Sequence, residues 1–130
     1  MKRLFILALF FCAQQVLAQA GIANTVYNES NLTATDTGDS VYLTNMKSNH
    51  WVARITSTED SGTASLTGRI DHSPDCTTWS TLLTFTAQTA TGGEDVHVNS
   101  STTAVYPCVR GVATITGTGQ WDVKIVLFGE

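Results

Sequence analysis

Apolar side chains recur at every second position along this chain, and that spacing limits its possible folds more than any other feature. Ala64, Leu66, Gly68 and Ile70 share one face of a stretch whose other face is Ser65, Thr67, Arg69 and Asp71. Trp121, Val123, Ile125 and Leu127 alternate in the same way with Asp122, Lys124, Val126 and Phe128, and Trp51, Ala53 and Ile55 alternate with His50, Val52 and Arg54. A repeat of two is that of a pleated strand with one buried face, and no window of useful length carries the 3.6-residue repeat of a helix. Composition agrees: residues 21–130 hold 21 Thr and 10 Ser but only two Pro. The β-branch and competing hydroxyl of Thr disfavour helix interiors and suit a pleated surface.

Between the alternating stretches lie turn signals at 59–62 (Glu-Asp-Ser-Gly), 71–78 (with Pro74), 92–93 (Gly-Gly) and 117–119 (Gly-Thr-Gly). Further extended segments read at 41–44, 79–87, 96–98, 104–109 and 112–116. The sum is about eight or nine antiparallel strands at roughly ten-residue spacing, with no room for crossover helices. The predicted fold is therefore all-β: a single β-sandwich, jelly-roll-like, in which two sheets about 10 Å apart bury each other's apolar faces. The last strand turns apolar on both faces near its end, so it is expected to be central in a sheet or covered by a partner. Residues 24–38 read as a loose N-terminal arm. The expected core is Trp51, Ile55, Leu66, Ile70, Trp79, Leu83, Phe85, Val96, Val98, Tyr106, Trp121, Val123, Ile125 and Leu127.

Residues 1–20 read as a leader rather than as part of the domain. Lys2 and Arg3 precede an apolar run at 4–13, and Ala18-Gln19-Ala20 has the small-x-small form of a cleavage site, so the β-sandwich domain is expected to occupy 21–130. Ten to fourteen apolar residues span about 15–21 Å as a helix, short of the roughly 30 Å hydrocarbon core, so no retained membrane anchor is expected. The chain reads as exported, periplasmic or extracellular. From residue 21 onward 5 basic side chains face 11 acidic ones, a net charge of −6 that argues against binding nucleic acid.

Export leaves two cysteines, Cys76 and Cys108, in a compartment where disulfides persist. Each closely follows a proline, in Ser73-Pro74-Asp75-Cys76 and Tyr106-Pro107-Cys108, where bends can bring them together. A bridge closing a loop of about 33 residues stabilises by roughly 3.5–4 kcal/mol on the chain-entropy estimate. Neither cysteine has the Cys-x-x-Cys spacing of a redox or zinc motif.

The segment 66–79, Leu-Thr-Gly-Arg-Ile-Asp-His-Ser-Pro-Asp-Cys-Thr-Thr-Trp, followed by Thr84-Phe85-Thr86-Ala87 and by Tyr106-Pro107-Cys108-Val109-Arg110 with a closing hairpin, resembles the small all-β accessory and decoration-type modules of tailed-phage and prophage virion proteins. Such modules end a strand in an Asp-x-Ser-x-Asp-Gly-x-x-Trp type turn and carry a Tyr-x-x-x-Arg element on a later strand. Cys76 stands where those modules usually have the turn glycine, and Cys108 falls inside the Tyr-to-Arg element. The resemblance implies that a disulfide here takes over part of the turn's rigidity. The leader departs from the pattern, because virion parts normally assemble in the cytoplasm.

Chemistry-bearing groups are present without an arrangement that commits them to a reaction. His50, His72 and His97 have no metal-ligand spacing and read as solvent-facing strand or turn residues. The acidic turns at 36–39, 59–60, 71–75 and 94–95 hold enough oxygens for Ca²⁺ but none repeats the calcium-loop pattern; no cofactor is expected, calcium being the single possibility left open. No Gly-x-Ser-x-Gly elbow occurs, so no catalytic residue is assigned and the chain is expected not to be an enzyme. Arg69 and Arg110 are placed to pair with Asp71 or Asp122. Tyr42 is out of phase with Val41 and Leu43 and is the aromatic expected at the surface; with Tyr27 or Trp51 it would form a sugar-stacking pair, although Trp51 also lies in phase with core aliphatics.

The leading expectation is a non-catalytic exported structural or interaction module that associates with itself or with another surface protein. The alternatives are a secreted carbohydrate- or cell-surface-binding sandwich, and an extracellular filament or pilus-like subunit that adds a strand from residues 22–27 or 121–128 to its neighbour.

Overall fold

The computed structural model describes residues 22–44, 51–89 and 104–129, and the backbone alone over 94–101. The leader expected at 1–20, the Gly92-Gly93 reversal and His50 lie outside the described residues. Ten strands follow in order: β1 (Ile22–Leu32), β2 (Asp36–Thr37), β3 (Val41–Tyr42), β4 (Trp51–Gly62), β5 (Ser65–Ser73), β6 (Ser80–Thr84), β7 (Gln88–Thr89), β8 (Glu94–Ser101), β9 (Cys108–Thr116) and β10 (Gly119–Gly129).

All pairings are antiparallel and they form two sheets. The first has the order β1-β10-β4-β8; in the second, β9 and β5 are central, β2 and β3 share the outer edge of β9, and β6 and β7 share the outer edge of β5. The all-β sandwich expected from the alternation is the architecture observed. The terminal strand β10 is central, between β1 and β4, which accounts for its second apolar face: Val126 is buried although it alternates with the core-facing Ile125 and Leu127.

The core lies between the sheets. Trp51, Ala53, Ile55, Trp121, Val123, Ile125 and Leu127 come from one inner face, and Leu66, Ile70, Val109 and Ala113 from the other, with Phe85 packed between them. A Cβ on Gly68 would run into Ile55 Cδ1, so the missing side chain is the seat in which Ile55 rests. The sheets are also tied by a buried hydrogen bond from Ser57 Oγ to Gln88 Oε1.

Four expectations need correction or completion. Residues 24–38 are no loose arm: β1 pairs with β10 from Ile22 to Leu32, and Val26 and Tyr27 are both buried, at a bulge that lets consecutive residues leave solvent. The turn read at 59–62 belongs instead to β4, which pairs with β10 as far as Gly62. Tyr106 stands exposed and Trp79 is half-buried outside the core cluster, because both lie where the sheets end. The side chains of Val96 and Val98 lie outside the described residues; the backbone register sets these residues opposite Thr56 and Arg54 of β4.

Tyr27 fixes β1 onto the opposite sheet. Its ring lies against Gly38 and Gly111, where an added Cβ would meet Tyr27 Cδ2 at 2.9 Å and collide with Tyr27 Cβ respectively. Its hydroxyl donates to Asp36 Oδ2 at 3.0 Å. Burial and then the Asp36 carboxylate push the phenol well above its ordinary pKa, so it remains a neutral donor. Gly111→Ala is expected to destabilise the protein by about 1–3 kcal/mol, the range for overpacking a filled site. Gly68→Ala should cost less, since its clash is with the movable end of Ile55 rather than with a Cβ and the Val26 carbonyl. Urea-unfolding midpoints of the two variants check the order.

Candidate functional site

The residues quoted for the motif at 71–79 and for the Tyr-to-Arg element meet at one end of the second sheet. The β5–β9 register places Asp71 opposite Arg110 and Ser73 opposite Cys108. Two-residue alternation then puts Arg69, Asp71, Ser73, Cys108 and Arg110 on the outward face, while Leu66, Gly68 and Ile70 face the core.

Asp71 is the centre of this face and is only 3% exposed. Arg69 Nε lies 2.8 Å from its Oδ1, and Arg69 Nη2 donates to Oδ2 at 3.1 Å. Arg110 Nη2 is 3.5 Å from Oδ2, and Thr81 Oγ1 donates to Oδ1 at 3.4 Å. The Arg110 guanidinium also stacks over Trp79, 4.2 Å from the ring centroid. One carboxylate thus holds two cations, one of which covers the indole; a buried group with several partners restricts geometry far more than an exposed ion pair does. Arg69 and Arg110 were expected to pair with Asp71 or Asp122, and both choose Asp71.

The turn beyond β5 is organised by Asp75. Its Oδ1 accepts from the Thr77 and Thr78 backbone N–H groups at 2.9 and 2.7 Å and from Ser73 Oγ at 2.8 Å, and its Oδ2 accepts from Thr78 Oγ1 at 3.0 Å. The Thr78 and Thr77 bonds, followed by that from Ser73, hold its carboxyl well below the usual range. With its oxygens committed to the turn, Asp75 is poorly placed to serve a calcium ion. Among the described residues no three His, Cys, Asp or Glu side chains come together as metal ligands.

Cys76 and Cys108 are bridged, with Cα atoms 5.4 Å apart. Cys76 has φ +59°, in the left-handed region that glycine enters freely and other residues enter at a cost of about 1–2 kcal/mol. The bridge ties this left-handed turn residue to the start of β9.

His72, expected to be solvent-facing, is buried at the sheet end. Its Nδ1 accepts the Tyr106 N–H at 3.2 Å, and the two rings lie 4.7 Å apart with a 35° tilt. An accepting Nδ1 requires the neutral imidazole with its proton on Nε2. Burial lowers the His72 pKa, and the Asp71 carboxylate works against that shift.

Of the aromatics expected at the surface, Tyr42 is 62% exposed, in register with Cys108, while Tyr27 and Trp51 are each 3% exposed. The pairings of Tyr42 with Tyr27 or Trp51 therefore do not form. Tyr27 is taken by the slot at Gly38 and Gly111, and Trp51 is in phase with Ala53 and Ile55. The structure instead brings Tyr106, 47% exposed, to the same end as Tyr42. The backbone between them is tied by Leu43 N–H donating to the Pro107 carbonyl at 2.7 Å. Sequence reading missed Tyr106 because its apolar neighbours suggested a strand interior; Pro107, which ends the segment just before β9, was the available signal. The end of the second sheet thus carries two exposed phenols, Tyr42 and Tyr106, next to a turn fixed by the Cys76–Cys108 bridge.

Replacing Cys76 or Cys108 with Ser is expected to cost about 2–4 kcal/mol and to lower the yield of folded protein while leaving the sheet pattern intact. Chemical denaturation with a circular-dichroism readout checks it. The histidine generates a second expectation. Because the folded pKa of His72 is depressed, the unfolded chain binds more protons as pH falls below about 6.5, so the stability tied to neutral His72 is complete above that pH and is lost below it. In His72→Gln the fall in urea midpoint between pH 7.5 and 5 should be shallower than in the parent.

No protein-family model matches the chain, and neither the curated proteins nor the solved structures compared with it show a significant match.

Proposed function

We propose that this chain is a non-catalytic, exported interaction module of the jelly-roll kind that associates with copies of itself and presents the face around Cys76–Cys108 to what it contacts. The observation that carries the reading is the pairing of exposed Tyr42 and Tyr106 with a framework in which Asp71, Arg69, Arg110 and Asp75 have their charges engaged. Rigid aromatic side chains lose little entropy when covered, and satisfied charges need not be stripped of partners on contact. The jelly-roll assignment is supported by strand order. The chain occupies eight positions, four in each sheet, with β2/β3 and β6/β7 each filling one edge, and successive positions alternate between sheets except at β5 to β6.

Self-association is what the virion-module resemblance implies, since such modules work as repeated copies. Among the described residues no helix is long and apolar enough to cross a membrane. The filament alternative in its strand-complementation form fits poorly, because β1 already pairs along β10 of its own chain. The carbohydrate alternative keeps one favourable observation, the Tyr42 and Tyr106 surface, in place of the aromatic pairs first expected.

Size-exclusion chromatography with light scattering on the secreted protein should give a mass that is a multiple of the monomer at high micromolar concentration. A monomer throughout would overturn self-association. On a glycan array, retention that disappears in Tyr42→Ser/Tyr106→Ser with an unchanged melting temperature would favour the carbohydrate reading.

A further inference from the structure

A β-sandwich has four edges, and three of them here carry features that discourage pairing with another chain. β1 is interrupted by register shifts between Thr25 and Tyr27 and between Glu29 and Leu32. The edge beyond β9 is split into the two-residue strands β2 and β3, and the edge beyond β5 is split into β6 and β7 with a register shift at Ile70/Asp71. Bulges and short, broken strands are the usual protections of sheet edges.

The fourth edge, β8, has none of these. It pairs with β4 over eight consecutive residues, from Ser101 opposite Trp51 to Glu94 opposite Thr58, without a shift. Its sequence, Glu-Asp-Val-His-Val-Asn-Ser-Ser, contains neither Lys, Arg nor Pro. Among the described residues no strand pairs with its other side. About half of its backbone donors and acceptors therefore point away from β4 along a straight edge.

We infer that β8 is the self-association edge: the β8 strands of two copies pair antiparallel about a two-fold axis and join the two β1-β10-β4-β8 sheets into one of eight strands. This rests on the self-association proposed above and assigns it to an edge of the first sheet, leaving the Cys76–Cys108 face of the second for other contacts. The charge pattern selects a second copy in this direction. Both acids of β8 stand at its start, so a parallel partner in register would stack Glu94 on Glu94 and Asp95 on Asp95, whereas an antiparallel partner sets them against the uncharged end.

Symmetry restricts the register further. Residues opposite each other in an antiparallel pair project to the same face, so two-fold related strands must set one residue against its own copy. The two registers that retain the most pairs centre on His97, with Glu94 opposite Ser100 and Asp95 opposite Asn99, or on Val98, with Asp95 opposite Ser101.

The test uses single-cysteine variants at 95, 96, 97, 98 and 99 in secreted protein whose Cys76–Cys108 bridge is verified by intact mass. Under mild oxidation His97→Cys or Val98→Cys should give the most disulfide-linked dimer, with yield falling on either side. Independently, hydrogen exchange in the parent protein should show amide protection in 94–101 that is lost on dilution while protection in β1 is unchanged. A protein that light scattering finds associated, but that shows neither preferential cross-linking nor concentration-dependent protection in β8, would overturn this edge and leave self-association standing. A monomer at every concentration would overturn both.

Discussion

The burial of two apolar sheet faces against each other is the constraint on which the rest of the sandwich depends. At its middle the Ile55 side chain rests on the bare backbone of Gly68, with Ile125 and Phe85 closing around the same point. Each sheet alone would leave an apolar face in water; packed together they remove Ile55, Leu66, Ile70, Ile125 and Leu127 from solvent almost entirely. Burial of that kind is worth about 1.5–3 kcal/mol per large aliphatic side chain, more than any exposed polar contact in the molecule supplies.

Two regions of the second sheet, only a few residues apart along β9, are held by different means. Beside β1 the chain uses shape: Tyr27 enters a slot that exists because positions 38 and 111 lack side chains, and its hydroxyl finds Asp36. The turn after β5 is instead tied covalently to β9, capped internally by Asp75, and covered by the Arg110–Trp79 stack and the His72–Tyr106 pair. Phenols exposed above such a framework start from a fixed geometry, so a contact made through them loses little freedom on forming.

Asp71, Trp79, Tyr106 and Arg110 are scattered over forty residues of sequence, yet the β5–β9 register makes Asp71 and Arg110 neighbours and the guanidinium then reaches the indole. A motif composed of turn residues and sheet aromatics is in this chain a clamp between two strands. Tyr106 and Tyr42 stay exposed at the same end of the sheet.

Strand character and burial phase were legible in the residues themselves, because side-chain direction alternates along a strand and β5 and the first half of β10 set an apolar face against a polar one. The Cys76–Cys108 pairing was legible too, because these are the two cysteines of the expected domain and each closely follows a proline at a chain bend. Sheet order was not, since any antiparallel arrangement satisfies the same alternation. Nor were the places where the alternation breaks. The β1 bulge buries Val26 and Tyr27 together and turns an apparent arm into a strand, and the sheet end leaves Tyr106 in solvent while the polar Asp71 and His72 are covered. Local pattern determines which way a side chain points relative to its own strand; what stands on that side, a glycine slot, a guanidinium or water, is decided only when strands distant in sequence come together.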